Sequence, residues 1–355
     1  MFIYWLLFAF PAMMALAYPV TAERYRPSPA QSLALISFLL LYIGMGALRF
    51  ETGGDWLTYD ETFEDIRTDT FSYALTSTDP LFGLINYVSA QLGTGVYLVN
   101  AICAWVLGYG VIKVALRFRE PWLAVMMAVP YLLIVVGFGY VRQGAAIGVV
   151  LIAIASFDQA RPLRTALYLA IALGFHSTAA MTFPVFAYAL ARRYKVFAVL
   201  FGALGAFAYV NVLAPKLGHF EAGYVDAEYD SGGAAARILM SLVPSLLLLL
   251  RWRHFAGSTR IRSVWVTVAV ANVVLMGALL LSPSSTAVDR IALFFAVIQL
   301  AVFGEFRDLV PVSNRMALLV RLMLIAIAAA VQVVWLVFGT HAIYWVPYKS
   351  ILQFI

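Results

Sequence analysis

Apolar residues in this chain come in long runs, without the three-and-four spacing of soluble helices or the alternation of half-buried strands. Seven runs approach or exceed the roughly 18 residues that cross a bilayer: Phe2–Val20, Ala30–Leu48, Gly95–Ala115, Trp122–Tyr140, Val196–Leu213, Ser263–Leu281 and Ala317–Thr340. Three shorter runs, Ala145–Phe157, Ile238–Leu250 and Ile291–Gly304, must borrow flanking residues to cover about 30 Å of hydrocarbon. Thr165–Leu190 is interrupted at Gly174-Phe175-His176-Ser177 and again at Pro184. That predicts a broken or re-entrant pair, tolerated only where protein or water satisfies the freed backbone. Pro80–Leu92 is too short to span and is expected along the interface. The first run lacks a basic leader and reads as a retained span, not a signal peptide.

The pattern predicts an all-α polytopic membrane protein: one integral domain over 1–355, about ten transmembrane helices and the broken pair. Composition agrees, with 63% hydrophobic and 12% charged residues and a mean hydropathy of +0.90. That is half the charge of a soluble domain. One cysteine and four histidines offer neither a disulfide framework nor a zinc site, so no metal or cofactor is expected.

The net charge of +6 acquires meaning only by position. With Arg24 and Arg26 in the cytoplasm, the inside loops hold 17 of the 24 Lys and Arg residues and only five of the 18 acids, Glu23, Glu120, Asp158, Glu305 and Asp308. The opposite topology would reverse the positive-inside bias. Both termini are therefore expected outside, and the basic balance records membrane orientation, not a nucleic-acid partner.

Two long outside loops follow. In the first, 49–79, Gly53-Gly54 makes a turn and Asp55 stands as an N-cap. Trp56, Tyr59, Phe63 and Ile66 follow at helical spacing, with Asp60, Glu61, Glu64 and Asp65 opposite. The second, 214–236, mixes Phe220, Tyr224 and Tyr229 with Glu221, Asp226, Glu228 and Asp230. Aromatic faces beside carboxylates suit a sugar ring, and equally a solvated acidic loop with interfacial tyrosines. A few cations fall on this acidic side. Arg142, Arg237 and Arg290 each begin an inward-running helix in the hydropathy pattern, and Arg49 closes an outward-running one. A guanidinium gains nothing from a helix N-terminus, but the two together fit one phosphate. The bland reading is that each snorkels to a lipid phosphate or pairs locally, as Arg290 with Asp289. Arg142 is flanked by Tyr140 and Gln143. His176 lies inside a membrane segment, which makes it a candidate for proton transfer; His219, His254 and His341 are loop residues with no assigned role. There is no P-loop, G-x-G-x-x-G, G-x-S-x-G or HExxH motif, and no inverted repeat.

The order of these residues resembles the EpsG family, a Wzy-like group of bacterial exopolysaccharide polymerases. The markers are Leu48-Arg49, Gly53-Gly54-Asp55-Trp56 with Tyr59 and Phe63, Asp79-Pro80-Leu81-Phe82, Arg142-Gln143, Phe175-His176-Ser177-Thr178-Ala179, Asp289-Arg290 with Phe294-Phe295, and Val346-Pro347-Tyr348-Lys349. The family more often has Glu-Pro-Gly at the third marker and Tyr at Phe295. The resemblance implies a C-type glycosyltransferase fold in the bacterial inner membrane with a periplasmic active site. It would join undecaprenyl-diphosphate-linked oligosaccharides without metal or nucleotide sugar, with the lipid diphosphate leaving. Candidate partners are the lipid-linked donor and acceptor, the bilayer, and chain-length regulator and export proteins. On that reading Arg142 and Arg290, assisted by Arg49 or Arg237, hold the diphosphate; Asp55 or His176 takes the acceptor proton; and Tyr59, Tyr140 and Gln143 position substrate. Three other readings stay open. Asp60-Glu61 fits a metal-dependent polyprenyl-phosphate-sugar transferase. A lipid-linked oligosaccharide flippase would line its interior with basic residues, of which this sequence has few. An O-acyltransferase would need a donor from the cytoplasm.

Overall fold

The computed structural model describes residues 1–18, 27–157, 160–191, 194–208, 210, 233–255, 259–281, 285–310 and 312–353. The second outside loop, apart from 233–236, lies outside the described residues, as do Arg24, Arg26, Arg192, Arg193, Pro311 and the end of the 196–213 run.

The described chain is helical, and no strand occurs among these residues. The helices are α1 (Phe2–Ala17), α2 (Pro29–Leu48), α3 (Trp56–Thr68), α4 (Phe71–Thr76), α5 (Pro80–Gln91), α6 (Gly95–Ala115), α7 (Pro121–Gly139), α8 (Val141–Ala155) and α9 (Pro162–Phe175). A 3-10 segment, Ser177–Thr182, leads into α10 (Phe183–Ala191) and α11 (Lys195–Ala208). There follow α12 (Ala234–Arg251), α13 (Thr259–Leu281), α14 (Ser285–Ala292), α15 (Ile298–Gly304), α16 (Phe306–Leu309) and α17 (Asn314–Val333). Among the described residues, six helices are long and apolar enough to cross a membrane, and five shorter apolar ones accompany them.

Burial orders the bundle. The most apolar window of α7 is 94% buried and that of α6 61%, whereas those of α2, α12, α13 and α17 are one-third buried or less. The first pair is the protein's core, and the others turn most of their side chains to the surrounding medium, which for runs this apolar is hydrocarbon. α6 and α8 cross with Gly110 against Gly148, where a Cβ on either would meet the other helix's backbone. Small residues are the usual means of close approach between membrane helices.

Pro130 changes the middle of α7. A proline lacks the N–H that an α-helix needs and crowds the preceding turn, and here Val129–Val136 widens to a π-helix. Two carbonyls of that segment take side-chain donors from elsewhere: the Tyr42 hydroxyl reaches Leu133 O at 3.2 Å and the Trp345 indole N–H reaches Ile134 O at 3.1 Å. Trp345 is wholly buried and belongs to a C-terminal segment that folds back over the first loop. Gly53 N–H donates to Tyr344 O (2.7 Å), Phe50 N–H to Lys349 O (3.0 Å) and the Tyr348 hydroxyl to Met45 O (2.8 Å). Gly53 adopts φ +108°, and a Cβ there would strike the Phe138 carbonyl, so only glycine fits.

Three expectations change at this level. The Ile291–Gly304 run is not one helix: α14 ends at Ala292, five residues of turn intervene, and α15 begins at Ile298. Arg290 consequently sits in the last turn of α14, not at a helix N-terminus. The Thr165–Leu190 stretch breaks once, at His176 (φ −159°, ψ 126°), and Pro184 falls in the first turn of α10, where a missing N–H costs nothing. The predicted face of α3 holds, with Trp56, Tyr59, Phe63 and Ile66 buried.

Among the described residues, buried charge is confined to the two ends of the bundle. At the start of α7, Glu120 pairs with Arg321, Arg119 with Asp308, and Glu305 is buried beside them. Arg49 and Asp79 lie at the other end, beyond Tyr140, about 28 Å away along α7 at 1.5 Å per residue. Burial, reinforced by the neighbouring Asp308 carboxylate and opposed by Arg119, pushes Glu305 from its ordinary 4.5 up to about 8. A carboxyl whose pKa is raised by folding stabilises the fold fully below the unfolded value and loses that contribution as pH rises through the folded one. The thermal midpoint of the purified protein is therefore expected to fall between pH 5 and pH 9. Glu305→Gln flattens that fall and raises the midpoint at pH 9 by about 3–5 °C; parallel pH curves for the two proteins would contradict it.

Candidate functional site

Two interruptions in membrane helices lie at the end of the bundle opposite Glu120 and Arg321. Tyr140 (φ −127°, ψ 60°) separates α7 from α8, and His176 separates α9 from the 3-10 segment. Breaking a helix leaves backbone groups that lipid cannot satisfy, so side chains gather at both points.

Asp79 joins the two breaks. It precedes Pro80 at the N-cap of α5 but makes no capping bond to its own helix. Its Oδ1 accepts the Ser177 backbone N–H at 3.1 Å, and its Oδ2 lies 3.3 Å from Arg142 Nη1 and 3.8 Å from His176 Nδ1. Arg142, the second residue of α8, also donates to Thr78 Oγ1 at 2.9 Å and lies 5.6 Å from the ring centres of both Tyr59 and Phe82. Its side chain keeps 29% of its surface exposed, so a ligand can reach it.

Asp55 repeats the pattern. It occupies the N-cap of α3, as its position predicts, yet its carboxylate caps nothing there. Its Oδ2 accepts instead from the Tyr59 hydroxyl at 3.4 Å. Burial raises the Asp55 pKa, and the nearby Arg290 and Arg142 guanidiniums pull it back toward ionisation. Burial, with the Asp55 charge beside it, likewise raises the Tyr59 phenol.

The remaining candidates divide. Arg290 lies 5.9 Å from the Tyr140 ring centre, and its backbone carbonyl accepts from Gln143 Nε2 at 2.5 Å, which ties α14 to α8. Arg237 forks onto Asp289 with bonds of 2.9 and 2.8 Å, so the carboxylate next to Arg290 in sequence also holds Arg237. Arg49 is only 1% exposed. It donates to Thr52 O, to Asn100 Oδ1 at 2.7 Å, and lies 5.0 Å from the Trp56 ring centre. Those contacts build it into the loop. Thus Asp55, Tyr59, Tyr140, Arg142, Gln143, His176 and Arg290 gather around the two breaks, Arg237 stands beside them in an ion pair, and Arg49 is enclosed beneath.

Asp79 and Asp289 were not among the residues singled out by sequence as site candidates. Asp before Pro at a helix start reads as an N-cap, and that ordinary role hides an acid directed elsewhere. Chemically, the arrangement offers half-buried guanidiniums for an anion and a carboxylate of raised pKa for a proton.

The chain matches the family model described as the EpsG family over residues 32–350. No curated protein and no solved structure matches it.

Removing the Asp79 carboxylate leaves a buried N–H at Ser177 and takes a counter-ion from Arg142. Asp79→Ala is expected to cost about 2 kcal/mol, read as a thermal midpoint about 5 °C lower. Asp79→Asn, which keeps an acceptor for Ser177, is expected to fall between alanine and wild type. Equal midpoints for all three would show that Asp79 bears no load.

Proposed function

The chain belongs to the EpsG family, and from that premise we propose that it is an exopolysaccharide polymerase of the bacterial inner membrane. It joins undecaprenyl-diphosphate-linked oligosaccharides on the periplasmic face without a metal ion. The observation that carries the reading is the gathering of Arg142, Arg290, Asp55 and the Asp79–His176 pair, from separate helices, at one end of the bundle. This is the end that the positive-inside rule assigns to the periplasm.

In the proposed reaction Arg142 and Arg290 bind the diphosphate of the donor lipid. The bond between the anomeric carbon and the diphosphate oxygen breaks, and its electron pair leaves with the lipid diphosphate. A hydroxyl of the acceptor sugar forms the new bond to that carbon and gives its proton to Asp55. Charge grows on the departing oxygens, so fixed guanidiniums favour the transition state over the ground state. Burial suits Asp55 to the base role, because a carboxylate whose pKa is raised holds a proton better than a solvated one. The Tyr59 hydroxyl orients that carboxylate. His176, placed against Asp79, and Gln143, bonded to the Arg290 carbonyl, hold the two breaks in register. Arg49 positions the first loop from below.

The test is polymerisation by the purified protein of its host's lipid-linked repeat units, with the products resolved as a ladder on a gel. Arg142→Ala and Arg290→Ala are each expected to lower turnover about 10²–10³-fold, with EDTA without effect. Turnover should fall on acidification at a higher pH than an ordinary carboxylate would give, and Asp55→Asn should remove that limb. A ladder abolished by EDTA would transfer the reading to a metal-dependent polyprenyl-phosphate-sugar transferase. No ladder from a correctly folded preparation would point to transport, and lipid flipping in liposomes would then be assayed.

A further inference from the structure

The outer surface carries a cleft that the reaction above does not use. It has a volume of about 190 Å³ and lies between α3 and the start of α6. Half-buried Phe50 and Tyr97 give it aromatic edges over the buried Trp56 and Phe63, and Asp60 and Glu64 supply carboxylates, with Glu51 at its margin.

α3 presents two stripes. Asp55 and Tyr59 face Arg142, whereas Trp56, Asp60, Phe63 and Glu64 line the cleft, about 100° further round the helix at 100° per residue. The cleft therefore lies roughly one helix diameter, about 10 Å, from the reacting centre. Trp56 connects them physically, standing edge-on to Phe50 at 6.0 Å and under the Arg49 guanidinium.

The charges in the cleft are unevenly compensated. Lys349 pairs with Glu51 at 2.7 Å and Arg67 with Glu64 at 2.6 Å. Asp60 has no hydrogen-bond or ion-pair partner among the described residues. A carboxylate free to accept two hydroxyls, set in a concave site with aromatic walls, matches a sugar ring with its apolar C–H faces and hydroxyl rim. Three carboxylates against two cations disfavour an acidic sugar.

We propose that this cleft is a sugar-binding subsite that holds one neutral ring of the glycan, one or two units from the reacting sugar. The inference rests on the polymerase reading for its ligand. A polymerase that keeps hold of its chain between additions needs such a contact outside the bond-forming centre, because the diphosphate departs at every step.

Binding and product length test it separately. The full-length protein in nanodiscs is titrated with the neutral repeat-unit oligosaccharide released from its lipid, and binding is followed by saturation-transfer NMR. Asp60→Ala and Tyr97→Ala are each expected to weaken binding about tenfold. Both should also shift the polymer ladder toward short products. Glu61→Ala, on the same helix but outside the cleft, binds as wild type, and Arg142→Ala retains oligosaccharide binding. Equal thermal midpoints exclude misfolding as the cause. Wild-type affinity and ladder in Asp60→Ala and Tyr97→Ala would overturn the subsite and leave the polymerase standing. Cleft-dependent binding by a protein that makes no ladder would leave the subsite and overturn the polymerase. Binding lost in Arg142→Ala but kept in Asp60→Ala, tighter binding of a uronate-bearing oligosaccharide, or no binding at all would also overturn the subsite.

Discussion

A helix that breaks inside or at the edge of hydrocarbon exposes backbone groups that only protein can satisfy, and the end of this molecule that holds Asp79 and Arg142 is organised by that requirement. The break at His176 is held by Asp79, which takes the Ser177 N–H. The wide turn within α7 is held by Tyr42 and Trp345, which reach its carbonyls. Each repair brings a polar side chain to a place where the chain has left its helix. Arg142, Gln143 and His176 lie within two residues of Tyr140, Ser177 or the start of α8. The arrangement that satisfies the backbone is also the one that concentrates chemistry.

The C-terminal segment joins the same economy. Tyr344, Trp345, Tyr348 and Lys349 contact residues about 200 to 340 positions earlier, on α1, α2, α7 and the first loop. Gly53 is pressed against the Phe138 carbonyl beneath them. Loop and tail are thereby one layer over the break at Tyr140, and the Asp55–Tyr59 turn of α3 is fixed by contacts made at both ends of the sequence.

How much of this was legible in the sequence differs by kind of signal. The long apolar helices, the amphipathic face of α3 and the interruption at His176 follow from hydropathy and from local residue chemistry, which act over a few residues. The partners of the charged groups do not. Asp289 stands next to Arg290 yet bonds Arg237, fifty-two residues away in sequence. Arg49 has the look of a surface cation and is enclosed between Thr52 and Asn100. Asp55 and Asp79 both sit where an N-cap is expected, and neither caps the helix it precedes: Asp55 takes the Tyr59 hydroxyl, and Asp79 takes the Ser177 N–H across the bundle. Pairings of this kind depend on how helices pack, and packing between apolar surfaces leaves little mark on a single sequence. The family resemblance compensated in part, because it drew attention to Asp79-Pro80 and Asp289-Arg290 without giving either acid a role.

A cluster of arginines beside hydrocarbon is costly when nothing is bound, and the arrangement limits that cost. Arg142 rests on Asp79 and between the rings of Tyr59 and Phe82, Arg290 lies near the face of Tyr140, and Arg237 is forked onto Asp289. Aromatic faces stabilise a guanidinium by about 0.5–2 kcal/mol and demand no fixed anion. A phosphate that offers paired, charge-assisted bonds outcompetes them. In the proposed reaction the diphosphate would thus meet charged guanidiniums whose cost is already limited by rings and carboxylates. Arg142, with aromatic company and 29% of its side chain exposed, fits that requirement better than Arg237, whose two-bond pairing with Asp289 would first have to be undone. The enclosed Arg49, 1% exposed, would need the first loop to open before it could take part.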